Sequence, residues 1–188
     1  MKANSKTLNL TLSALFIALI IIAGTVLNIK LPGNLPNLST QFFFCALAGV
    51  FLGSKLGGAS VLIYVIIGLC GLPVFTQGGG IYYVFKPSFG YIVGYIFCAL
   101  IMGYAAQKWG DRFVPLLIAA FISLLVLYTF GTVYLYLILN LYLNVDTDVF
   151  KALQMGVLPF VITDSIWCVL IAVCGSRLKR LIIKTNKQ

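Results

Sequence analysis

The chain has 188 residues, 61% of them hydrophobic and 9% charged, with a formal net charge of +9 and a mean hydropathy of +1.06. Soluble domains average roughly 25% charged residues, so a water-soluble monomer is excluded and an integral membrane protein is expected. Histidine is absent, which removes the commonest metal ligand and the commonest general base near neutral pH; the five cysteines form no C-x-x-C pair, so neither a zinc site nor a disulfide framework is supported.

In chain order, apolar segments cover residues 8–27, 41–52, 56–69, 89–106, 113–142 and 156–174. The first and the last three reach about the 20 residues that a spanning helix needs. The second and third are short and separated only by Gly53-Ser54-Lys55, which predicts two short or tilted spans joined by a tight turn. The alternative, one helix over 41–69, conflicts with Gly53, Gly57 and Gly58 clustering around a lysine. Lys2 and Lys6 before an apolar run also fit a signal peptide, yet five apolar segments follow and Ile22-Ala23-Gly24 is a poor cleavage site. The expected architecture is therefore an all-α membrane protein, a six-transmembrane-helix bundle forming one domain over residues 1–188.

Charge tests the topology. With six spans, Lys2, Lys6, Lys55, Lys108, Arg112, Arg177, Lys179, Arg180, Lys184 and Lys187 share one face, and only Lys30, Lys86 and Lys151 lie on the other. Cytoplasmic loops carry the excess of Lys and Arg, so both termini are expected to be cytoplasmic. The basic surplus then reads as topology and contact with anionic lipid, not as nucleic-acid binding.

Between the third and fourth spans runs a connector rich in Gly, Pro and aromatics, from Gly71 through Gly78-Gly79-Gly80 to Tyr91, with the lysine Lys86 inside it. Pro73 and Pro87 argue against one continuous helix. Irregular backbone at membrane depth is tolerated where protein buries it or it lines a cavity, so this connector is read as part of a site. Lys86 could attract an anionic ligand, pair with an acid, or snorkel to the outer surface.

Asp164 is the one acidic residue inside an apolar segment; Asp111, Asp146 and Asp148 fall in connectors. A carboxylate at mid-helix costs about 2.5–3.5 kcal/mol on insertion scales, which makes such a residue a candidate for function. At helical spacing Phe160, Asp164, Trp167 and Cys168 share a face. A carboxylate beside an indole suits a flat ligand bearing N–H donors, while an interhelical hydrogen bond that fixes packing is the plainer role. Gln41 can donate and accept at the mouth of a pocket, or simply begin a helix. Ala14 and Ala18 are small residues four apart, a pattern that lets helix backbones approach. No G-x-x-x-x-G-K-[ST] loop is present for ATP, and no nucleophile–base pair or cofactor motif appears, so an enzyme is the weaker class.

The run from Leu47 to Gly57, with Tyr64, Gly68, Gly71-Leu72-Pro73-Val74-Phe75, Gly78-Gly79-Gly80 and Pro87-Ser88-Phe89-Gly90-Tyr91, closely resembles the BioY family, the biotin-specific substrate-binding (S) components of energy-coupling-factor transporters. Pro36 with Ser39-Thr40-Gln41 resembles that family's approach to the second helix with altered spacing. The resemblance implies a six-helix bundle, a vitamin pocket near the outer face, and partners: a transmembrane coupling protein (T component) and two cytoplasmic ATPases. It implies ligand contacts at Asp164, Lys86, Gln41, Gly79, Tyr82, Phe85, Ser88, Tyr91 and Trp167, and contact of Ala14 and Ala18 with the coupling protein. In this reading Asp164 accepts from the ureido N–H groups, Tyr82, Phe85 and Trp167 pack on the rings, and Lys86 serves the valerate carboxylate. Two departures stand out: the family's Asp-x-x-Lys in the last helix has Trp167 in the lysine's place, and the residue before Pro87 is Lys86 rather than glycine. An S component for another vitamin, and a membrane scaffold in which Asp164 only fixes packing, are the alternatives.

Overall fold

The computed structural model describes residues 5–29 and 38–185. Lys2, Lys30, Pro36 and Lys187 fall outside them. Six α-helices follow in order: α1 (Ser5–Thr25), α2 (Gln41–Leu69), α3 (Phe89–Trp109), α4 (Phe113–Leu141), α5 (Val149–Gly156) and α6 (Val161–Thr185). Between α1 and α2 lies a minimal antiparallel ladder of β1 (Asn28–Ile29) and β2 (Leu38–Ser39), with Asn28 opposite Ser39. A 3₁₀ turn, Ile81–Phe85, interrupts the connector from α2 to α3.

Helix α2 is not straight. Gly53 has φ 81° and ψ 173°, a region that side-chain-bearing residues essentially do not visit. The consequence is a reversal of direction. The Gln41 amide donates to the Tyr64 hydroxyl at 2.6 Å, although 23 residues of continuous helix would hold them about 34 Å apart. A Cβ on Gly57 would lie 2.7 Å from the Gly49 Cα, again contact that an unbroken helix forbids. The two short segments expected at 41–52 and 56–69 are thus the antiparallel halves of one hairpin, and a single straight helix is excluded.

The turn is seated on α3. Ser54 donates its hydroxyl to the Leu100 carbonyl at 3.0 Å, and a Cβ on Gly49 would strike the Ala99 carbonyl. Gly103 lies against the Gly53–Ser54 backbone so closely that its own Cβ would be 2.6 Å from the Gly53 carbonyl carbon. Small residues here let backbones approach to a distance that larger ones would prevent.

Around this contact α2 packs on α3, α3 on α4, α4 on α6 and α6 on α2, closing a ring, while α1 lies against α2. Ile20, Val50, Val61, Met102, Leu116, Leu124 and Ile171 fill the core. Ile118, Ile122, Leu125 and Val133 face outward from α4, a surface suited to acyl chains. Helices α1 to α4 are long and apolar enough to cross a membrane; α5 and α6, bent by 52°, make a fifth candidate if taken together. Helix α5 occupies what reads in the sequence as a connector, and its bend separates it from the last span.

A Cβ at position 53 would sit 2.5 Å from the Gln107 amide nitrogen as well as in a forbidden backbone region. Gly53→Ala should therefore destabilise the fold by about 1–3 kcal/mol, read as a lower unfolding midpoint of the detergent-solubilised protein. An unchanged midpoint would contradict the reversal.

Candidate functional site

A small pocket, partly open to the outside, lies inside the ring. Gln41 and Phe42 come from the start of α2, Ser88, Tyr91 and Tyr95 from the start of α3, and Asp164 from the first turn of α6. Leu127 and Tyr128 reach in from α4, and Thr76 and Tyr83 from the connector. Three helices therefore begin at the pocket. Each helix start carries unsatisfied N–H groups and the positive end of a helix dipole.

The Tyr128 hydroxyl donates to Asp164 Oδ2 at 2.8 Å, joining α4 to α6. Asp164 is 8% exposed, so this donor satisfies an oxygen that would otherwise lose its solvation within the bundle. Phe160 and Asp164 both line the pocket, linked by the Asp164 N–H donating to the Phe160 carbonyl at 2.8 Å. The Tyr91 hydroxyl donates to the Gly156 carbonyl at 2.8 Å, tying α3 to the end of α5. In the connector, Tyr83 Oη lies 3.0 Å from Thr76 Oγ1 and 3.2 Å from Ser88 Oγ. The connector folds back on α2, the Gly80 N–H donating to the Gly68 carbonyl at 2.7 Å.

Four of the residues singled out from sequence meet in this pocket: Gln41, Ser88, Tyr91 and Asp164. The other five lie elsewhere. The Lys86 ammonium donates to the Gln77 carbonyl at 2.9 Å, sits 5.2 Å from the centroid of the Tyr83 ring and does not line the pocket. Tyr82 is 82% exposed. Phe85 stacks on Tyr142 with centroids 5.0 Å apart. Trp167 turns onto Phe43, 5.1 Å between centroids. Gly79 is packed where a Cβ would meet the Leu72 carbonyl. Two of these displacements have a local reason: the 3₁₀ turn points Tyr82 away from the side that buries Tyr83, and Trp167, although only about 60° round α6 from Asp164, is drawn onto the Phe43 ring of α2.

Sequence reading passed over Tyr128, Tyr83 and Thr76. For Tyr128 a signal existed. A tyrosine within an apolar span must find a partner for its hydroxyl, and one acid was available within a span. Tyr83 and Thr76 gave none, since only the folded connector shows which of its hydroxyls face inward.

A helical membrane bundle with a polar, acid-bearing pocket at the convergence of three helix starts is the class of protein that the fold and site define: a multi-pass membrane binding protein. The sequence profile of the BioY family matches residues 1–184, and the chain belongs to that family. A probable biotin transporter BioY of Lysinibacillus sphaericus is 36% identical over 182 residues, covering 96% of this chain and 91% of that protein. The biotin transporter BioY of Thermotoga maritima is 35% identical over 170 residues, covering 90% and 94%. Among solved structures, the S-component for biotin from an ECF-type ABC transporter superposes with a TM-score of 0.82 at 28% identity, covering 96% of this chain and 95% of that one.

Removing the Tyr128 hydroxyl leaves a buried acceptor without its donor. Tyr128→Phe should lower stability by about 1–3 kcal/mol, seen as a reduced unfolding midpoint in detergent. No reduction would mean that the Tyr128 hydrogen bond does not hold α4 to α6.

Proposed function

We propose that this chain binds biotin and takes it up across the cytoplasmic membrane as the S component of an energy-coupling-factor transporter. The observation that carries this is the match to a biotin S-component over nearly the whole of both chains, together with Asp164 in the pocket of the corresponding bundle. The single domain over residues 1–188 crosses the membrane six times, the two halves of α2 counting as separate spans and α6 as the last, with both termini cytoplasmic. The arrangement of Lys and Arg supports that orientation. The protein is not itself an enzyme: ATP is hydrolysed by two separate ATPases, coupled through a transmembrane T component.

Asp164 accepts from the ureido N–H groups of the ligand, and Gln41, Ser88 and Tyr91 complete the polar lining around it. Oδ2 already accepts the hydrogen bond of the Tyr128 hydroxyl, which orients the carboxylate toward a flat donor. Gly79, Tyr82, Phe85 and Lys86 shape the connector, and Trp167 packs on Phe43 from α6, all outside the pocket's lining. A charge-assisted hydrogen bond contributes about 1.5–3 kcal/mol, and about 1.4 kcal/mol is a factor of ten. Asp164→Asn should thus weaken biotin binding at least tenfold in a titration of the purified protein while the chain still inserts. Unchanged affinity would reduce Asp164 to a packing residue.

Ala14 and Ala18 lie one turn apart and exposed on α1, whose other side packs on α2. They form a shallow groove for a helix of the coupling protein. Ala14→Leu or Ala18→Leu should leave biotin affinity near wild type and abolish co-purification with the coupling protein. Variants that assemble normally but bind biotin poorly would show instead that these alanines pack inside the protein.

A further inference from the structure

Resting on the biotin reading, a question about the other end of the ligand arises. Biotin carries a carboxylate on its valerate chain, yet among the described residues none that lines the pocket is Lys or Arg. Position 167 holds Trp, and Lys86, which gives one of its three N–H donors to the Gln77 carbonyl, is not among the lining residues. The pocket wall does offer three hydroxyls in a row. Thr76 Oγ1, Tyr83 Oη and Ser88 Oγ are spaced 3.0 and 3.2 Å apart, and all three residues line the cavity.

Three hydroxyls hold three protons, and two internal hydrogen bonds use two of them. One O–H is left over, at Thr76, at Ser88 or, where both of these donate to Tyr83, at Tyr83 itself, according to the direction in which the bonds run. Ser88 stands before α3 without its side chain capping that helix, so its hydroxyl is not drawn back to the backbone. Tyr83 is 2% exposed, and in such low-dielectric surroundings successive hydrogen bonds polarise one another. The Lys86 ammonium, 5.2 Å from the Tyr83 ring centroid, draws electron density toward the ring face and makes the phenolic O–H a better donor. Gln77, whose carbonyl accepts from Lys86, adjoins Thr76 in the chain, so the cation sits beside the hydroxyl chain.

We infer that the carboxylate of the ligand is received by the Thr76–Tyr83–Ser88 hydroxyl chain, with Lys86 polarising it from behind, rather than by a cation in direct contact. The chain thereby selects an anionic tail without placing a charged side chain in the pocket.

The test compares biotin with biotinamide, of nearly the same shape but neutral, on the full chain in detergent. Hydrogen bonds to an ionised acceptor are roughly twice as strong as neutral ones. Wild type should prefer biotin. Ser88→Ala and Tyr83→Phe should weaken biotin about tenfold and biotinamide no more than about threefold. Lys86→Gln should weaken biotin by a smaller factor that shrinks as salt is raised. Should the buried Tyr83→Phe variant fail to purify, Thr76→Val and Ser88→Ala at the two ends of the chain supply the same comparison. Equal losses for both compounds, or equal wild-type affinity for them, would overturn the inference. Wild type that binds neither compound would overturn the biotin reading itself.

Discussion

The reversal at Gly53, and the close backbone contacts that seal it, position everything that follows in the chain. Because the second half of α2 runs back beside the first, Gln41 meets Tyr64, and the connector beginning at Gly71 emerges beside the start of α2. Thr76 and Tyr83 can then face the same cavity as Gln41 and Ser88. A straight α2 would carry the connector to the far end of the bundle and leave Asp164 without the rest of its pocket. The turn holds because Gly49, Gly57 and Gly103 offer bare backbone where α2 folds on itself and on α3, and because the Ser54 hydroxyl satisfies a carbonyl there.

Polar groups inside an apolar bundle have no water to fall back on, so they pair with one another. That constraint organises the pocket. Tyr128 satisfies Asp164, Tyr91 satisfies the last carbonyl of α5, and the connector hydroxyls satisfy each other. The same bonds that stabilise the closed ring are the ones a ligand must join or replace. A ligand with N–H donors at one end and acceptors at the other meets both kinds of partner in this lining.

Tyrosine has a particular use here. Its ring satisfies the apolar packing of the span while its hydroxyl reaches across to another element. Tyr64, Tyr83, Tyr91 and Tyr128 are all buried, and each hydroxyl makes a hydrogen bond. A lysine in the same places would carry a charge that the bundle could not solvate. Lys86 accordingly stays out of the pocket lining, held by a carbonyl and a ring face.

Membrane residence, helical class and the acid on which the site centres were legible in the sequence alone, because each depends on local chemistry: apolar run length, residue type and one costly carboxylate. The break at Gly53 was legible too, since clustered glycines around a lysine cannot continue a buried helix comfortably. The sequence reading grouped nine residues into one site; Asp164, Gln41, Ser88 and Tyr91 line one pocket, while Lys86, Gly79, Tyr82, Phe85 and Trp167 are not in its lining. Which side of each element faces inward was decided only by the tertiary structure. Tyr82 and Tyr83 are neighbours in the chain, yet one is exposed and the other buried, because the 3₁₀ turn rotates them apart. Tyr128 became part of the site because α4 packs on α6, a contact between residues far apart in sequence. Orientation about a helix axis is settled by packing against distant partners, and residue type at a single position does not contain that information.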